Sequence, residues 1–285
     1  MSTALTGGPA GVRRCAVLGS PIAHSLSPVL HRAAYRELGL DWRYDAVEVS
    51  GEDLAGFLGS LGPEWRGLSL TMPLKRTVMP LLTEMSDTTR QAGAANTVLL
   101  DEDGQRMGHN TDVPGMVSAL GERGVAEVST ATVVGGGATA TSSVLALARL
   151  GCREVTLRVR EPQRAQEGVA AAGRLAQGPA VRVARLDEPL EPERVDVVVS
   201  TIPASAQQPY AESLAAQAPV VFDVIYDPWP TPLAEAAREA DRVLVGGLDL
   251  LVHQATRQVE LMTGCPQAPL AAMRAAGEEV LRRRA

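Results

Sequence analysis

The chain carries 26 arginines and a single lysine, Lys75. Two readings of that lysine stand. A compositional bias towards arginine would leave Lys75 as a remnant. Alternatively, arginine cannot do what the position needs, because of the two only lysine can release its proton near neutral pH once its surroundings lower its pKa. The neighbours bear on the choice. Thr71 and Lys75 sit at the end of an apolar run and in the turn beyond it (LTMPLK), Asn96 lies in GAANT, and Asn110-Thr111-Asp112 follows a hairpin signal. Ser25 and Ser27 flank Leu26 after GSPIAH. Two hydroxyls two apart in a loop can face one ligand. Ser27 can equally cap the helix behind it, and Asp112 the helix that follows it. As a set, these groups suit a polyhydroxylated acid: hydroxyls and an amide recognise OH and carboxylate groups, and a lysine paired with an aspartate moves a proton as hydride moves. A cation beside the carbonyl oxygen also stabilises a developing alkoxide.

A second constellation is glycine-rich. Residues 131–134 (ATVV) run into Gly135-Gly136-Gly137-Ala138-Thr139-Ala140, a G-x-G-x-x-A pattern that follows a strand signal and opens a helix signal. Glycines let a backbone turn tightly and approach a pyrophosphate, which the N–H groups and dipole of a helix N-terminus then receive. A plain strand-to-helix turn has the same pattern. An NAD binder places Asp or Glu at the end of the next strand, for the ribose 2′-OH. Here that strand ends Val159-Arg160-Glu161, and Arg164 follows about one turn on. Two arginines suit a 2′-phosphate, which favours NADP(H). They also suit solvated positions at a helix start, and Glu161 opposes a phosphate unless it points away.

These groups need elements to hold them. Strands are expected at residues 14–19, 44–49 and 67–71. Helices are expected at 27–39, with Ser27 as N-cap and Pro28 first inside, and at 52–61. Residues 96–101 and 105–109 flank Glu102-Asp103-Gly104 as a hairpin. From residue 131 the rhythm is regular. Strands fall at 131–134, 154–159, 180–184, 195–200, 220–224 and 242–245, and helices at 138–150, 162–175, 210–216 and 231–240. Helices at 248–263 and 268–284 close the chain. Strands alternating with helices imply an α/β fold with a parallel sheet covered on both faces. The break between halves falls in the helix that starts after Asp112. A length of 285 residues suits two domains, and 3% aromatics make the core aliphatic.

Several partners are disfavoured. A net charge of −6 argues against nucleic acid, which needs a basic face. No run reaches the roughly 18 apolar residues of a membrane span. Cys15, Cys152 and Cys265 show no CxxC or metal-ligand spacing, so no metal is expected and a reducing, cytoplasmic setting is. Residues 1–14 lack the apolar core of a signal peptide and read as a flexible tail. Arg282-Arg283-Arg284 read as a helix C-terminus favoured by its dipole.

The motifs GSPIAHSLSP, LTMPLK, GAANT, GHNTDVPG, GGGATA, DVIYDPWPTPL and GGLDLLVHQ run in this order through nearly the whole chain. The set resembles the shikimate dehydrogenase family, whose members reduce 3-dehydroshikimate with NADPH on the route to aromatic amino acids. The resemblance implies an N-terminal α/β substrate domain, residues 1–111, completed by the C-terminal helices of residues 248–285. It implies a Rossmann-type doubly wound NADP-binding domain at residues 112–247, with the active site in the cleft between. Substrate binding falls on Ser25, Ser27, Thr71, Asn96, Asp112, Tyr226 and Gln254, and catalysis on Lys75 with Asp112. The cofactor loop falls on Gly135, Gly136, Gly137, Ala138, Thr139 and Ala140, the adenosine-phosphate arginines on Arg160 and Arg164, and a backbone contact near the nicotinamide on Gly247. The partner implied is the small-molecule substrate, for a monomer or a homodimer.

Three positions depart from the family pattern. Asn-Val-Thr becomes Ser69-Leu70-Thr71, which is expected to loosen the support behind Thr71. Asn-Arg-Thr becomes Val159-Arg160-Glu161, and Asp249 replaces a second glycine before Leu250-Leu251, with an expected effect on the nicotinamide contact or cleft flexibility. Glu161 keeps open an NAD-linked quinate/shikimate dehydrogenase of catabolic role. An enzyme for an aminated analogue and a metabolite-binding module without turnover also remain.

Overall fold

The aliphatic runs become the middles of two six-stranded sheets. A computed structural model describes residues 12–189 and 194–284. β1 (Arg13–Gly19) buries Cys15, Ala16, Val17 and Leu18, and α1 (Ser27–Glu37) covers it. β2 (Trp42–Glu48), α2 (Leu54–Gly59) and β3 (Trp65–Leu70) follow, with β2 and β3 parallel to β1 on either side. Then come α3 (Leu74–Thr77), β4 (Glu84–Met85), α4 (Asp87–Ala92), and the antiparallel hairpin of β5 (Thr97–Leu100) and β6 (Arg106–His109). The order is β2-β1-β3-β5-β6-β4, with β3 and β5 antiparallel.

Two local expectations change here. β1 starts one residue before the strand expected over 14–19, so Arg13 belongs to it rather than to a tail. The Arg14 guanidinium lies 4.7 Å over the Trp65 ring, and Arg13 Nη1 donates to the Pro63 carbonyl at 3.3 Å, contacts made by residues far along the chain. The rest of the expected tail, residues 1–11, lies outside the described residues. Ser27 does not cap α1: the cap position is Leu26, Ser27 is the first helical residue, and its N–H donates to Ser25 Oγ at 3.3 Å. Ser25 thus does the polar work at that helix start.

α5 (Asp112–Glu122) leads into the second sheet. There the elements are β7 (Thr130–Val134), α6 (Ala138–Arg149), β8 (Glu154–Val159), α7 (Gln166–Gly173), β9 (Ala180–Arg185), β10 (Val197–Ser200), α8 (Ala211–Gln217), β11 (Val220–Asp223), α9 (Pro232–Glu239) and β12 (Val243–Val245). The helix expected over 162–175 divides into a 3₁₀ turn, Pro162–Ala165, and α7. All six strands are parallel in the order β12-β11-β10-β7-β8-β9. The chain enters the middle at β7, runs out to β9 and returns at β10. That reversal is the switch point of a doubly wound sheet, where ligands bind beyond the carboxyl ends of the strands.

α10 (Gly247–Thr263) and α11 (Leu270–Arg284) return to the first sheet. Val252, Ala255 and Val259 of α10 and Met273 of α11 share a core with Leu26, Leu30 and Ala34. α10 also reaches the second core through Leu250, and α5 enters that core through Val113 and Met116. Polar links join the halves: Arg76 Nη2 donates to Thr141 Oγ1 at 3.2 Å, and Asn110 Nδ2 to Ser142 Oγ at 3.2 Å. All three cysteines are free, and among the described residues no helix is long and apolar enough to cross a membrane.

The α5–α10 crossing is set by a missing side chain. A Cβ on Gly115 would stand 2.9 Å from the Gln254 backbone nitrogen. Gly115→Val should therefore push the helices apart at a cost of about 1–3 kcal/mol, the usual scale of overpacking. Urea unfolding measures this, and an unchanged midpoint would mean that the two helices are free to separate.

Candidate active site

A cavity of about 300 Å³ opens between the two sheets. Ser25, Ser27, Thr71, Lys75, Asn96 and Asp112 line one side. Gln254 lies beside Asn96, Tyr226 and Gly247 complete the lining from the segments after β11 and β12, and Thr139 enters from the glycine-rich turn. The remaining loop residues Gly135, Gly136, Gly137, Ala138 and Ala140, with Arg160 and Arg164, lie outside this lining.

β3 ends at Leu70, and the turn through Pro73 starts α3 so that Lys75 falls in its first turn. Lys75 Nζ lies 2.6 Å from Asp112 Oδ2, with side-chain exposures of 15% and 7%. Asp112 is the first residue of α5, so its charge also meets the positive end of that helix. The helix is capped at Thr111 without a side-chain bond, so the carboxylate is not spent on capping. Its other oxygen accepts from Asn96 Nδ2 at 2.8 Å. The orientation of Asn96 is fixed by its surroundings: Oδ1 accepts the Thr111 N–H at 2.8 Å and the Thr97 hydroxyl at 3.0 Å. The amide nitrogen must then face acceptors, namely Asp112 and, at 3.3 Å, Gln254 Oε1. Gln254 Nε2 is turned back to the Leu251 carbonyl at 2.9 Å.

Beneath this layer runs a buried polar chain with no motif of its own. Tyr44 OH donates to Ser69 Oγ at 2.5 Å, and Ser69 Oγ donates to Gln258 Oε1 at 2.8 Å. Gln258 Nε2 donates to Thr97 Oγ1 at 2.9 Å and to the Asn96 carbonyl at 3.1 Å. The loosening expected from Ser69 does not occur, because Tyr44 and Gln258 fill both sides of its hydroxyl. His31 stacks on Tyr44 with ring centroids 3.9 Å apart. Its Nδ1 lies 2.9 Å from the Ser27 carbonyl, which only accepts, so Nδ1 carries the hydrogen. Nothing local in the sequence distinguishes Tyr44, His31 or Gln258 from ordinary strand and helix residues, and Ser69 stood out only as a departure from the family pattern.

The far wall hangs on Asp223, at the end of β11. Its carboxylate accepts from Thr231 Oγ1 at 2.5 Å, Gln207 Nε2 at 2.9 Å and the Ile225 N–H at 3.1 Å. Those bonds shape the loop that presents Tyr226, although burial still pushes the Asp223 pKa up. Gly247 admits no side chain: a Cβ there would stand 2.4 Å from the Ile225 carbonyl carbon. Asp249 does not line the cavity. It accepts from the Gly246 N–H at 3.0 Å and from Arg123 at 3.1 Å, and it pairs with Arg274, so it serves the start of α10.

The glycine-rich turn is built for close approach. Gly135 has φ +117°, and a Cβ there would stand 2.2 Å from Thr201 Oγ1. A Cβ on Gly136 would meet the Arg164 carbonyl oxygen at 2.4 Å, whereas one on Gly137 would face open space. That space lies before the first turn of α6, whose leading N–H groups have no partner within the helix. Bare donors, a helix dipole and room at the switch point fit a diphosphate. Arg160 and Arg164 stand exposed beyond the end of β8. Arg185, whose backbone pairs with Val159, is engaged by Asp187 at 3.0 Å, which pushes its pKa up, with Glu161 adding a smaller effect.

A doubly wound sheet offering a diphosphate cradle, facing a second α/β layer that presents a lysine–carboxylate pair, defines a two-domain dinucleotide-dependent oxidoreductase. The family model described as the shikimate dehydrogenase substrate binding domain matches residues 17–98, and the shikimate 5′-dehydrogenase C-terminal domain matches residues 247–276. A shikimate dehydrogenase (NADP(+)) from Desulfitobacterium hafniense is 35% identical over 274 residues, covering 93% of this chain and 97% of that protein. The chain belongs to the shikimate dehydrogenase family. The crystal structure of Mycobacterium tuberculosis shikimate dehydrogenase aligns with a TM-score of 0.84 at 40% identity, covering 94% of this chain and 99% of that one. Shikimate 5-dehydrogenase from Thermus thermophilus, solved in complex with NADP(H) and shikimate, aligns with a TM-score of 0.83 at 31% identity, covering 95% and 100%.

Burial pushes the His31 pKa down to about 4. A histidine whose folded value lies below its unfolded value, near 6.5, stabilises the fold fully above the unfolded value and loses that contribution as pH falls towards 4. The melting temperature should therefore drop between pH 7 and pH 5, with up to about 1.4 kcal/mol lost per pH unit. Thermal melts of the parent and of His31→Leu check this. Equal slopes in the two would assign the pH dependence to other groups.

Proposed function

We propose that this chain catalyses the reversible NADP(H)-dependent reduction of 3-dehydroshikimate to shikimate in aromatic amino acid biosynthesis. The observation that carries the reading is the 2.6 Å Lys75–Asp112 contact on the wall of a cavity that Thr139 of the glycine-rich turn also lines. We assign residues 1–111 with 248–285 to the substrate half and 112–247 to the cofactor half. In this assignment the join falls where α5 packs on both. A cytoplasmic setting fits three free thiols.

The chemistry a bound NADPH supplies is the hydride that goes to the ring carbonyl carbon. The chain does the rest. Lys75 Nζ delivers the proton to the carbonyl oxygen as the C–O double bond becomes a single bond, and its positive charge stabilises the developing alkoxide until then. Lys75 is left as an amine and regains its proton from water. Asp112 holds Nζ in place and, with Thr71, Asn96 and Gln254, bonds ring hydroxyls. Ser25 and Ser27 hold the carboxylate, and Tyr226 closes over the ring. The main-chain N–H groups of residues 135–140 take the diphosphate, Gly247 lets the backbone pass close to the nicotinamide, and Arg160 and Arg164 take the 2′-phosphate.

Absorbance at 340 nm, with shikimate or quinate and NADP⁺ or NAD⁺, tests the reading. Strong rates with shikimate and NADP⁺ alone are expected. Comparable rates with quinate or NAD⁺ would move the reading to a catabolic quinate/shikimate dehydrogenase with Glu161 on the ribose. Four silent reactions from folded protein would overturn it in favour of an aminated substrate or a binding module. Lys75→Ala should lower kcat by about 10²–10⁴-fold with a smaller change in KM, and near-normal kcat would remove Lys75 from proton transfer. Arg160→Ala with Arg164→Ala should raise KM for NADP⁺ while leaving KM for NAD⁺ nearly unchanged. An equal rise for both cofactors would place the two arginines elsewhere than at the 2′-phosphate.

A further inference from the structure

We propose that Arg284 is a positioning residue for the substrate carboxylate, holding the serine loop against the Tyr226 segment at the mouth of the cavity. The inference rests on the shikimate reading above and extends it to a helix end that no motif includes. The three arginines that end α11 behave differently. Arg282 and Arg283 both turn back to Glu279, at 2.6 and 2.7 Å, as exposed pairs within one helix. Such pairs contribute little. Arg284 instead reaches across to two other segments. Its Nη1 donates to Asp227 Oδ2 at 2.8 Å and to the His24 carbonyl at 3.2 Å, with the guanidinium and the Asp227 side chain each about one-third exposed.

The neighbours of those two acceptors give the contact its meaning. His24 precedes Ser25, and Asp227 follows Tyr226; Ser25, Ser27 and Tyr226 all line the cavity. The same two segments also touch through apolar groups, since Tyr226 packs against the cluster that holds Leu26, between the two serines. The loop of residues 24–27 belongs to the first sheet, whereas residues 226–227 follow β11 of the second. Arg284, on a third element, is therefore the clasp between them. The two serines are neutral donors, and Lys75 is the one lysine or arginine among the lining residues. A carboxylate held by two hydroxyls depends on their being fixed in advance, because ordering a loop on binding is subtracted from affinity. A clasp on that loop acts on substrate binding. It touches neither Lys75 nor the glycine-rich turn, so proton transfer and dinucleotide binding are left alone.

The test is steady-state kinetics of Arg284→Ala, Arg284→Lys, Asp227→Asn and the Arg284→Ala/Asp227→Asn double variant, with melting temperatures alongside. Arg284→Ala should raise KM for shikimate roughly 3- to 10-fold, the scale of one partly exposed charged contact plus a hydrogen bond. KM for NADP⁺ should stay within about two-fold and the melting temperature within about 2 °C. Lysine should recover part of the loss, because it can still donate to Asp227, and the double variant should be little worse than either single one. A shikimate analogue lacking the carboxylate should bind parent and Arg284→Ala equally well. An active parent whose Arg284→Ala variant keeps its shikimate KM would overturn the role of Arg284 alone. So would equal rises in both KM values with a lower melting temperature, the pattern of general loosening. A parent that turns over no shikimate would overturn the functional reading first and this inference with it.

Discussion

The Asp112 carboxylate is shared between Lys75 Nζ and the Asn96 amide, and it sits almost out of water. A buried charge pair carries a desolvation penalty that is offset only by good geometry and further hydrogen bonds. Much of the surrounding architecture supplies them. α5 begins at Asp112, so the carboxylate meets the positive end of a helix. The Thr111 N–H and the Thr97 hydroxyl fix the Asn96 oxygen, which leaves its nitrogen to the carboxylate. Removing any one of these donors would leave an acceptor or a charge with fewer partners in a largely buried position. The pair therefore behaves as one unit with its support, and the first sheet, α5 and α10 are positioned by it together.

The second constraint is closeness of backbone. Among the glycines where a methyl group would collide, three shape the second sheet's side of the cleft: Gly135 against Thr201, Gly136 against Arg164 and Gly247 against the Ile225 carbonyl. Two of them bring the β7–α6 turn down onto its neighbours so that the helix start faces the switch point. The third lets α10 leave β12 immediately and cross back towards the first sheet. Gly115 permits the same closeness between α5 and α10. With no side chain at these four positions, the elements around the cavity approach closely, and the groups lining it can address one small molecule.

Two of the departures from the family pattern find partners. Ser69 is bracketed by the Tyr44 hydroxyl and Gln258, forming a chain that ends on the Asn96 carbonyl. Asp249 starts α10 and is neutralised by Arg123 and Arg274, away from the cavity. Glu161 stays exposed beside Arg160, and the nearby Arg185 is engaged by Asp187. At Ser69 and Asp249 residues from other elements take up the replaced group's polar atoms.

Much was legible in the sequence. The strand–helix rhythm from residue 131 onward gave the second sheet because apolar runs and breakers are local signals, and the G-x-G-x-x-A turn gave its ligand-facing edge. Lys75 drew notice as the lone lysine, and Ser25, Ser27, Thr71, Asn96 and Asp112 as polar groups in loops beside apolar strands. α3, β4 and α4 escaped, being only four, two and six residues long and too short to show a period. The structure differs at Ser27, where Ser25 takes the helix-start amide, and at Arg13, whose partner Pro63 lies some fifty residues on. The buried chain of Tyr44, Ser69 and Gln258, the Arg284 clasp and the choice of Asp112 for Lys75 over capping were decided only in three dimensions. Sequence fixes what each side chain can donate, accept or ionise; which partner it meets depends on packing between elements distant along the chain, and no local pattern encodes that.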